Sequence, residues 1–127
     1  MKELLKKVDR EEESHKGDNG KVGVIAGSKD FTGAPALASK AALRTGCDLV
    51  KILTSEEVSD TVASYSENFI VEGYEGNYFS MAAMEKALQL SDWADAVVIG
   101  PGLGEPEAKA VRQFIQESSS DLVIDAD

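Results

Sequence analysis

Small residues follow two of the apolar segments in this 127-residue chain, at points where a ligand could bind. Residues 100–104 read Gly-Pro-Gly-Leu-Gly and separate a predicted strand from a predicted helix. Glycines there let a ligand approach the backbone, and the start of the helix offers N–H groups to an anion. The spacing is not that of the dinucleotide fingerprint, because the third glycine comes one residue early. A ligand loop and a plain tight turn therefore remain alternatives for Gly100, Gly102 and Gly104.

A second candidate loop covers residues 27–33, after the first predicted strand, and carries the hydroxyls of Ser28 and Thr32. It is not a phosphate-binding Walker loop, because no Lys-Ser or Lys-Thr pair follows Gly33. The next helix begins with small residues, Gly33-Ala34-Pro35-Ala36. They leave room for a flat or bulky group at the helix N-terminus, although close packing of the helix on a sheet would require the same residues.

Two carboxylates, Asp125 and Asp127, follow the last predicted strand. Carboxylates at a strand end bind ribose hydroxyls or a metal, but an ordinary solvated strand end has the same composition. His15 is the only histidine and Cys47 the only cysteine, so we predict no zinc site and no other metal site in this chain.

The elements that must position these residues alternate along the chain. Predicted strands cover residues 21–26, 49–53, 69–71, 96–99 and 122–124, and predicted helices cover residues 2–13, 34–45, 79–91 and 106–117. Thr54 and Glu57 also fit the capping box of a further helix. The strands are continuous apolar runs, which is typical of strands covered on both faces. We therefore predict an α/β fold with three layers, in which helices cover both sides of a mostly parallel central sheet.

Lys51 interrupts one of these apolar runs, which favours an edge strand or a strand end at that point. In an open α/β sheet, ligands bind beyond the carboxyl ends of the strands. Chain order places Ser28, Thr32, Asp125 and Asp127 after such ends, so we predict that they belong to one ligand-binding rim.

Composition excludes several classes of protein. The chain has 13 Lys and Arg against 23 Asp and Glu, a formal net charge of −10. Such a charge gives no general attraction to nucleic acid or to an anionic membrane, and we predict neither as a partner. One cysteine cannot form an internal disulfide, and no apolar run approaches the roughly 20 residues that span a bilayer. We expect a cytoplasmic location and a single domain over residues 1–127.

Taken in order, several segments resemble the family of ADP/ATP-dependent NAD(P)H-hydrate dehydratases. The segments are His15-Lys16-Gly17-Asp18-x-Gly20, Val24-Ile25-Ala26-Gly27-Ser28, Phe31-Thr32-Gly33-Ala34-Pro35, Ala41-Ala42-Leu43-Arg44-Thr45-Gly46, Val98-Ile99-Gly100-Pro101-Gly102-Leu103-Gly104 and Val123-Ile124-Asp125-Ala126-Asp127. Each of these motifs is weak alone, but the ordered set is specific.

The resemblance implies a ribokinase-like fold and a lyase that repairs nicotinamide nucleotides. Hydrated NADH or NADPH would be dehydrated at the expense of ADP or ATP, with Mg²⁺. Carried over from the family, the positions that bind this substrate are Ala34 and Gly102. Gly33, Gly100 and Gly104 would shape the pocket around them.

The sequence departs from the family in one large respect, because it contains no Gly-Thr-Gly-Asp loop, whose aspartate is the family's catalytic base. We therefore assign no catalytic residue, and expect the chain to be the first half of a larger ribokinase-like domain. The main sites for the nucleotide and Mg²⁺ would lie in the other half. We expect the chain alone to bind substrate weakly, without turnover. A half-built sheet also leaves an unpaired edge, so we predict a homo-oligomer.

Two other functions remain open on the sequence. One is a nucleotide-binding module without catalysis. The other is a small-molecule kinase for a carbohydrate or a vitamin, since the same superfamily contains such enzymes. The Thr-Gly-Ala-Pro loop favours the dehydratase over the kinase, but only through the resemblance.

Overall fold

The computed structural model describes residues 12–13 and 15–125. The strands are β1 (Lys21–Ile25), β2 (Leu49–Ser55), β3 (Phe69–Tyr74), β4 (Ala96–Ile99) and β5 (Asp121–Ile124). The α-helices are α1 (Gly33–Arg44), α2 (Ser59–Ala63), α3 (Met84–Trp93) and α4 (Ala108–Glu117), and a short 3₁₀ helix (Met81–Ala83) precedes α3. The helix predicted over residues 2–13 lies outside the described residues, apart from a turn at Glu12 and Glu13.

The five strands form one sheet in the order β3-β2-β1-β4-β5. All four neighbouring pairs are parallel, and Val24 of β1 lies between Ile52 of β2 and Val98 of β4. Helices connect the strands and cover both faces of the sheet. The predicted three-layer α/β fold with a parallel sheet is confirmed. None of the helices in the described part of the chain is both long and apolar enough to cross a bilayer.

A separate apolar core lies on each face of the sheet. On one face, Ile25, Val97 and Ile99 pack with residues of α3 and α4, and the Phe114 ring meets the ring of Phe79 edge-on, with centroids 6.5 Å apart. On the other face, Val24, Val50 and Ile52 pack with α1 and α2. Successive residues of a strand enter opposite cores, which explains why the strands read as continuous apolar runs.

Lys51 occupies neither an edge strand nor a strand end, so that prediction was wrong. It lies in the middle of β2, which has β1 on one side and β3 on the other, and it is paired with Gly23. The Lys51 Nζ atom lies 4.7 Å from the centroid of the Trp93 ring, and Lys21 Nζ lies 5.7 Å from it. The aromatic ring attracts both ammonium groups, which accounts for a cation in this position.

The predicted capping box at Thr54 and Glu57 was also wrong. Thr54 lies inside β2, and α2 begins only at Ser59, with no side-chain hydrogen bond at its N-cap. Thr54 is fully buried, and its Oγ1 atom has no partner among the described residues. Pairing with β3 carries β2 on to Ser55, so sheet formation overrides the local capping pattern.

The two edges of the sheet differ in character. At β3, Lys86 Nζ donates to the Gly73 carbonyl at 2.5 Å and lies 3.8 Å from the carboxylate of Glu72. At β5, Val123 and Ile124 point to opposite faces and are 59% and 56% exposed. The β3 edge thus has an ion pair beside it that hinders pairing with another chain, whereas the β5 edge exposes two large apolar side chains.

Candidate functional site

The two loops that the sequence singled out lie side by side at the carboxyl ends of β1 and β4. These are the β1–α1 loop (residues 26–32) and the β4–α4 loop (residues 100–107). The Gly27 N–H donates to the Pro101 carbonyl at 2.8 Å, and the Gly100 N–H donates to the Ile25 carbonyl at 3.2 Å. Because β1 and β4 are neighbours in the sheet, their loops meet without any intervening strand.

Gly102, in the β4–α4 loop, packs closely against the start of α1. A Cβ atom at Gly102 would lie 2.8 Å from the Ala34 Cβ and 3.0 Å from the Phe31 Cβ. The backbone there has φ +66°, a conformation that favours glycine. Gly33 is different, because no atom lies within 4 Å of the position its Cβ would take. The structure thus brings Ala34 and Gly102 together and leaves open space beside Gly33.

Gly104 lies against two side chains from other loops. A Cβ atom there would be 3.1 Å from Ser28 Oγ and 3.2 Å from the Tyr78 ring. The Tyr78 hydroxyl donates to Asp30 Oδ2 at 2.6 Å, and the Lys29 N–H donates to the Asn77 carbonyl at 3.0 Å. The hydrogen bond to Asp30 raises the pKa of the Tyr78 phenol above its ordinary value. These contacts fasten the β1–α1 loop to the β3–α3 loop (residues 75–80).

The two hydroxyls predicted at the rim both have partners within the protein. Ser28 is fully buried, and its Oγ accepts the Asp30 N–H at 3.3 Å. Thr32 is the N-cap residue of α1 but makes no side-chain capping bond, and its Oγ1 lies 3.1 Å from the Tyr65 hydroxyl. In this structure both side chains stabilise the rim, and their contact with a ligand stays a prediction.

Asp125 continues the pairing of β5 with β4, since its N–H donates to the Ile99 carbonyl at 2.9 Å. Gly100 faces it, and a Cβ at Gly100 would lie 2.5 Å from the Asp125 carbonyl oxygen. A groove of about 320 Å³ opens between this point and α4, with Val111 and Ile124 in its mostly apolar lining and Arg112 as its one basic residue. Asp127 lies outside the described residues.

Within residues 12–13 and 15–125, no three His, Cys, Asp or Glu side chains are grouped closely enough to hold a metal ion. The site described so far therefore offers shape, backbone groups and a few polar side chains to a ligand.

Sequence reasoning missed three residues of this site: Phe31, Asp30 and Tyr78. Phe31 lies two residues before Gly33, the first of the small residues that begin α1, and that position was the available signal. Tyr78 comes from a loop on the other side of β1 in the sheet order, and no local pattern connects it with Asp30. Only the strand order brings the two residues together.

Comparison with known proteins shows which family the sequence matches. A family model described as NAD(P)H-hydrate dehydratase matches residues 22–127. An ADP-dependent (S)-NAD(P)H-hydrate dehydratase of Natrialba magadii is 40% identical over 126 residues, which cover 99% of this chain and 49% of that protein. The chain thus spans about half the length of this relative.

Two solved structures share the fold. A ribokinase-like superfamily protein of Enterococcus faecalis superimposes with a TM-score of 0.74 at 21% identity, over 98% of this chain and 43% of its own. The ADP/ATP-dependent NAD(P)H-hydrate dehydratase of Bacillus subtilis, co-crystallised with ATP and Mg²⁺, gives a TM-score of 0.69 at 28% identity, over 93% of this chain and 41% of its own. The likeness covers less than half of either structure.

Proposed function

Because the chain belongs to the NAD(P)H-hydrate dehydratase family, we propose that it binds hydrated NADH or NADPH as the substrate side of a repair lyase. The complete reaction would remove water from the damaged nicotinamide ring at the expense of ADP or ATP. Its relatives carry that activity in their names, and the chain spans about half of them.

The observation that carries this proposal is the contact between Ala34 and Gly102. The resemblance places substrate binding at these two residues, which lie far apart in the sequence. In the structure a Cβ at Gly102 would come within 2.8 Å of the Ala34 Cβ, at the carboxyl ends of two adjacent parallel strands. Ligands of open α/β sheets bind at such ends. Gly33, next to Ala34 in the chain, is exposed and has open space at its Cβ position, which supports access of a ligand to the start of α1.

We propose that the nucleotide and Mg²⁺ bind mainly to the other half of a larger ribokinase-like domain. The described residues do not fit a magnesium site, because they contain no suitable group of acidic side chains. The Gly-Thr-Gly-Asp loop expected of the family is absent from the sequence. The chain by itself would then bind substrate, hold it against Gly102 and leave it unconverted.

We also propose a cytoplasmic homo-oligomer. The reduced state expected for a single cysteine and the metabolic role proposed above support the location. The exposed apolar side chains Val123 and Ile124 on the unpaired β5 edge support self-association.

The test measures binding of hydrated NADPH to the 127-residue chain by NMR titration. Ala34→Leu is the variant expected to disrupt binding. Because the Ala34 Cβ already packs against Gly102, thermal melts first establish that the leucine variant is folded. In the folded variant the added bulk would cover the proposed substrate position, so binding should weaken by at least tenfold, on the order of the loss of one well-packed contact. Ala41→Leu is the matched control. It lies on the same helix face two turns away, about 10 Å along the axis, and is exposed.

Addition of ADP and Mg²⁺ to the bound complex should regenerate no NADPH, measured as reduced-nicotinamide absorbance. Regeneration would contradict the proposal that this chain holds only the substrate side. Failure of the folded wild-type chain to bind hydrated NADPH, or equal weakening by both leucine variants, would contradict the proposed substrate site itself.

A further inference from the structure

We infer that Phe31 is a substrate-contacting residue whose ring stacks on a planar ring of the bound dinucleotide. This inference rests on the proposed function, because it names a further contact within the same site.

The Phe31 side chain is 52% exposed, whereas Phe79 and Phe114 are fully buried. A single exposed apolar side chain is common on protein surfaces and indicates nothing alone. The residues next to Phe31 are what connect its exposure with ligand binding. The Phe31 Cβ lies 3.0 Å from the place where a Gly102 Cβ would be, beside the Ala34 Cβ. The Phe31 side chain therefore starts beside both residues to which the proposed function assigns substrate binding.

The residues next to Phe31 leave its ring uncovered. Gly102 and Gly33 have no side chains, and the space around Gly33 is open. Tyr65 lies on the far side of Thr32, with its hydroxyl 3.1 Å from Thr32 Oγ1. An aromatic ring beside a strip of small residues gives a flat ligand a face to stack on and room to lie in.

The backbone of Phe31 is held by two reciprocal hydrogen bonds. The Ser28 N–H donates to the Phe31 carbonyl at 3.1 Å, and the Phe31 N–H donates to the Ser28 carbonyl at 3.2 Å. The neighbouring Asp30 is tied to Tyr78 at 2.6 Å. Because the turn is fixed on both sides, little conformational freedom of the Phe31 backbone remains to be lost on binding.

The experiment compares Phe31→Ala and Phe31→Tyr with Leu37→Ala in NMR titrations of hydrated NADPH. Removing an aromatic ring from a stacked base typically weakens binding about tenfold. We expect that loss for Phe31→Ala and near wild-type binding for Phe31→Tyr, which retains the ring. Leu37 is the control, because it is a large apolar residue of α1 that is 74% exposed, and it is not among the three atoms nearest to the Gly102 Cβ position. Thermal melts establish that each variant is folded.

Two mononucleotides, hydrated NMNH and AMP, identify the ring that is stacked. The mononucleotide that carries that ring should lose affinity in Phe31→Ala, and the other should not. Unchanged affinity of Phe31→Ala for hydrated NADPH and for both mononucleotides overturns the inference, as does an equal loss in Leu37→Ala. In those cases wild-type binding of hydrated NADPH still supports the proposed function. A wild-type chain that binds none of the three ligands overturns both.

Discussion

Gly102 and Gly33 both belong to the candidate site, but at the residue scale the structure gives them opposite roles. Gly102 has a positive φ and contacts Ala34 and Phe31 so closely that a side chain cannot be accommodated without movement. Gly33 begins a regular helix and has no neighbour near its missing side chain. The sequence shows two glycines in ligand-loop positions and does not distinguish these roles.

We expect Gly102→Ala to lower the free energy of unfolding by about 2 kcal/mol. A left-handed backbone costs an L-residue roughly 1–2 kcal/mol, and the clash with Ala34 adds to it. Gly33→Ala should instead raise it by about 0.5 kcal/mol, because alanine loses less chain entropy on folding than glycine. Urea unfolding of the two variants measures the difference. Equal stability of the two proteins would contradict the close packing at Gly102.

At the scale of elements, the described strands and long helices were predicted from the sequence, because burial requires apolar residues in a run or at a regular spacing. Strands covered on both faces are mostly apolar, and short apolar runs of this kind located all five strands, including the more exposed β5. Where a local signal competed with the sheet, the sheet prevailed, as at Thr54 and Lys51. The capping pattern at Thr54 and the charge at Lys51 depend on partners distant in the sequence, which no local pattern records.

Much of the candidate site was also accessible from the sequence, because parallel strands bring their carboxyl ends together. Ala34 and Gly102 were identified through motifs, and the structure places them in contact. Phe31 and Tyr78 were not identified, because their roles arise from loop packing between non-consecutive strands. Chain order alone does not specify that packing.

One small cluster of serines connects helix α3 to strand β5. The buried Ser91 Oγ accepts the N–H of Ser119 at 2.9 Å and lies 2.7 Å from Ser118 Oγ. This hydroxyl therefore fixes the turn between α4 and β5. A second polar connection between the turn and α3 is the Ser119 hydroxyl, which donates to Asp92 Oδ1 at 2.7 Å.

We predict that Ser91→Ala costs about 1–3 kcal/mol, because the Ser119 N–H would lose its acceptor in a part-buried position. Hydrogen exchange should quicken in β5 more than in β1. Ser64→Ala is the control, since its hydroxyl bonds a carbonyl three residues back on an exposed helix end. Uniform loss of protection across the sheet would argue against a local role for Ser91.

At the scale of the whole molecule, both edges of the described sheet expose apolar side chains, but only the β3 edge has an ion pair beside it. The β3 edge carries Lys86 and Glu72, and the β5 edge exposes Val123 and Ile124. The net charge of −10 opposes association of two copies, whereas the apolar side chains of the β5 edge favour it. The balance between these two effects depends on screening by salt.

We expect the chain to self-associate through β5 and to do so more strongly as salt rises. Val123→Lys should abolish association, because it places a cation on the pairing edge. Ile70→Lys, at the exposed position of the opposite edge strand, should leave association unchanged. Sedimentation velocity over a range of salt concentrations measures the association of the wild-type chain and of both variants. A wild-type chain that is monomeric at every salt concentration would contradict the proposed oligomer.

The placement of Trp93 between two lysines has a practical consequence for optical work. This is the only tryptophan of the chain, and it contacts the ammonium groups of Lys21, at the start of β1, and Lys51. It thus lies towards the amino end of β1, whereas the proposed ligand binds beyond the carboxyl end. Indole emission can therefore follow unfolding of the central sheet in solutions that already contain nucleotide. The molecule carries its own fluorophore, set apart from the region where a ligand would quench it.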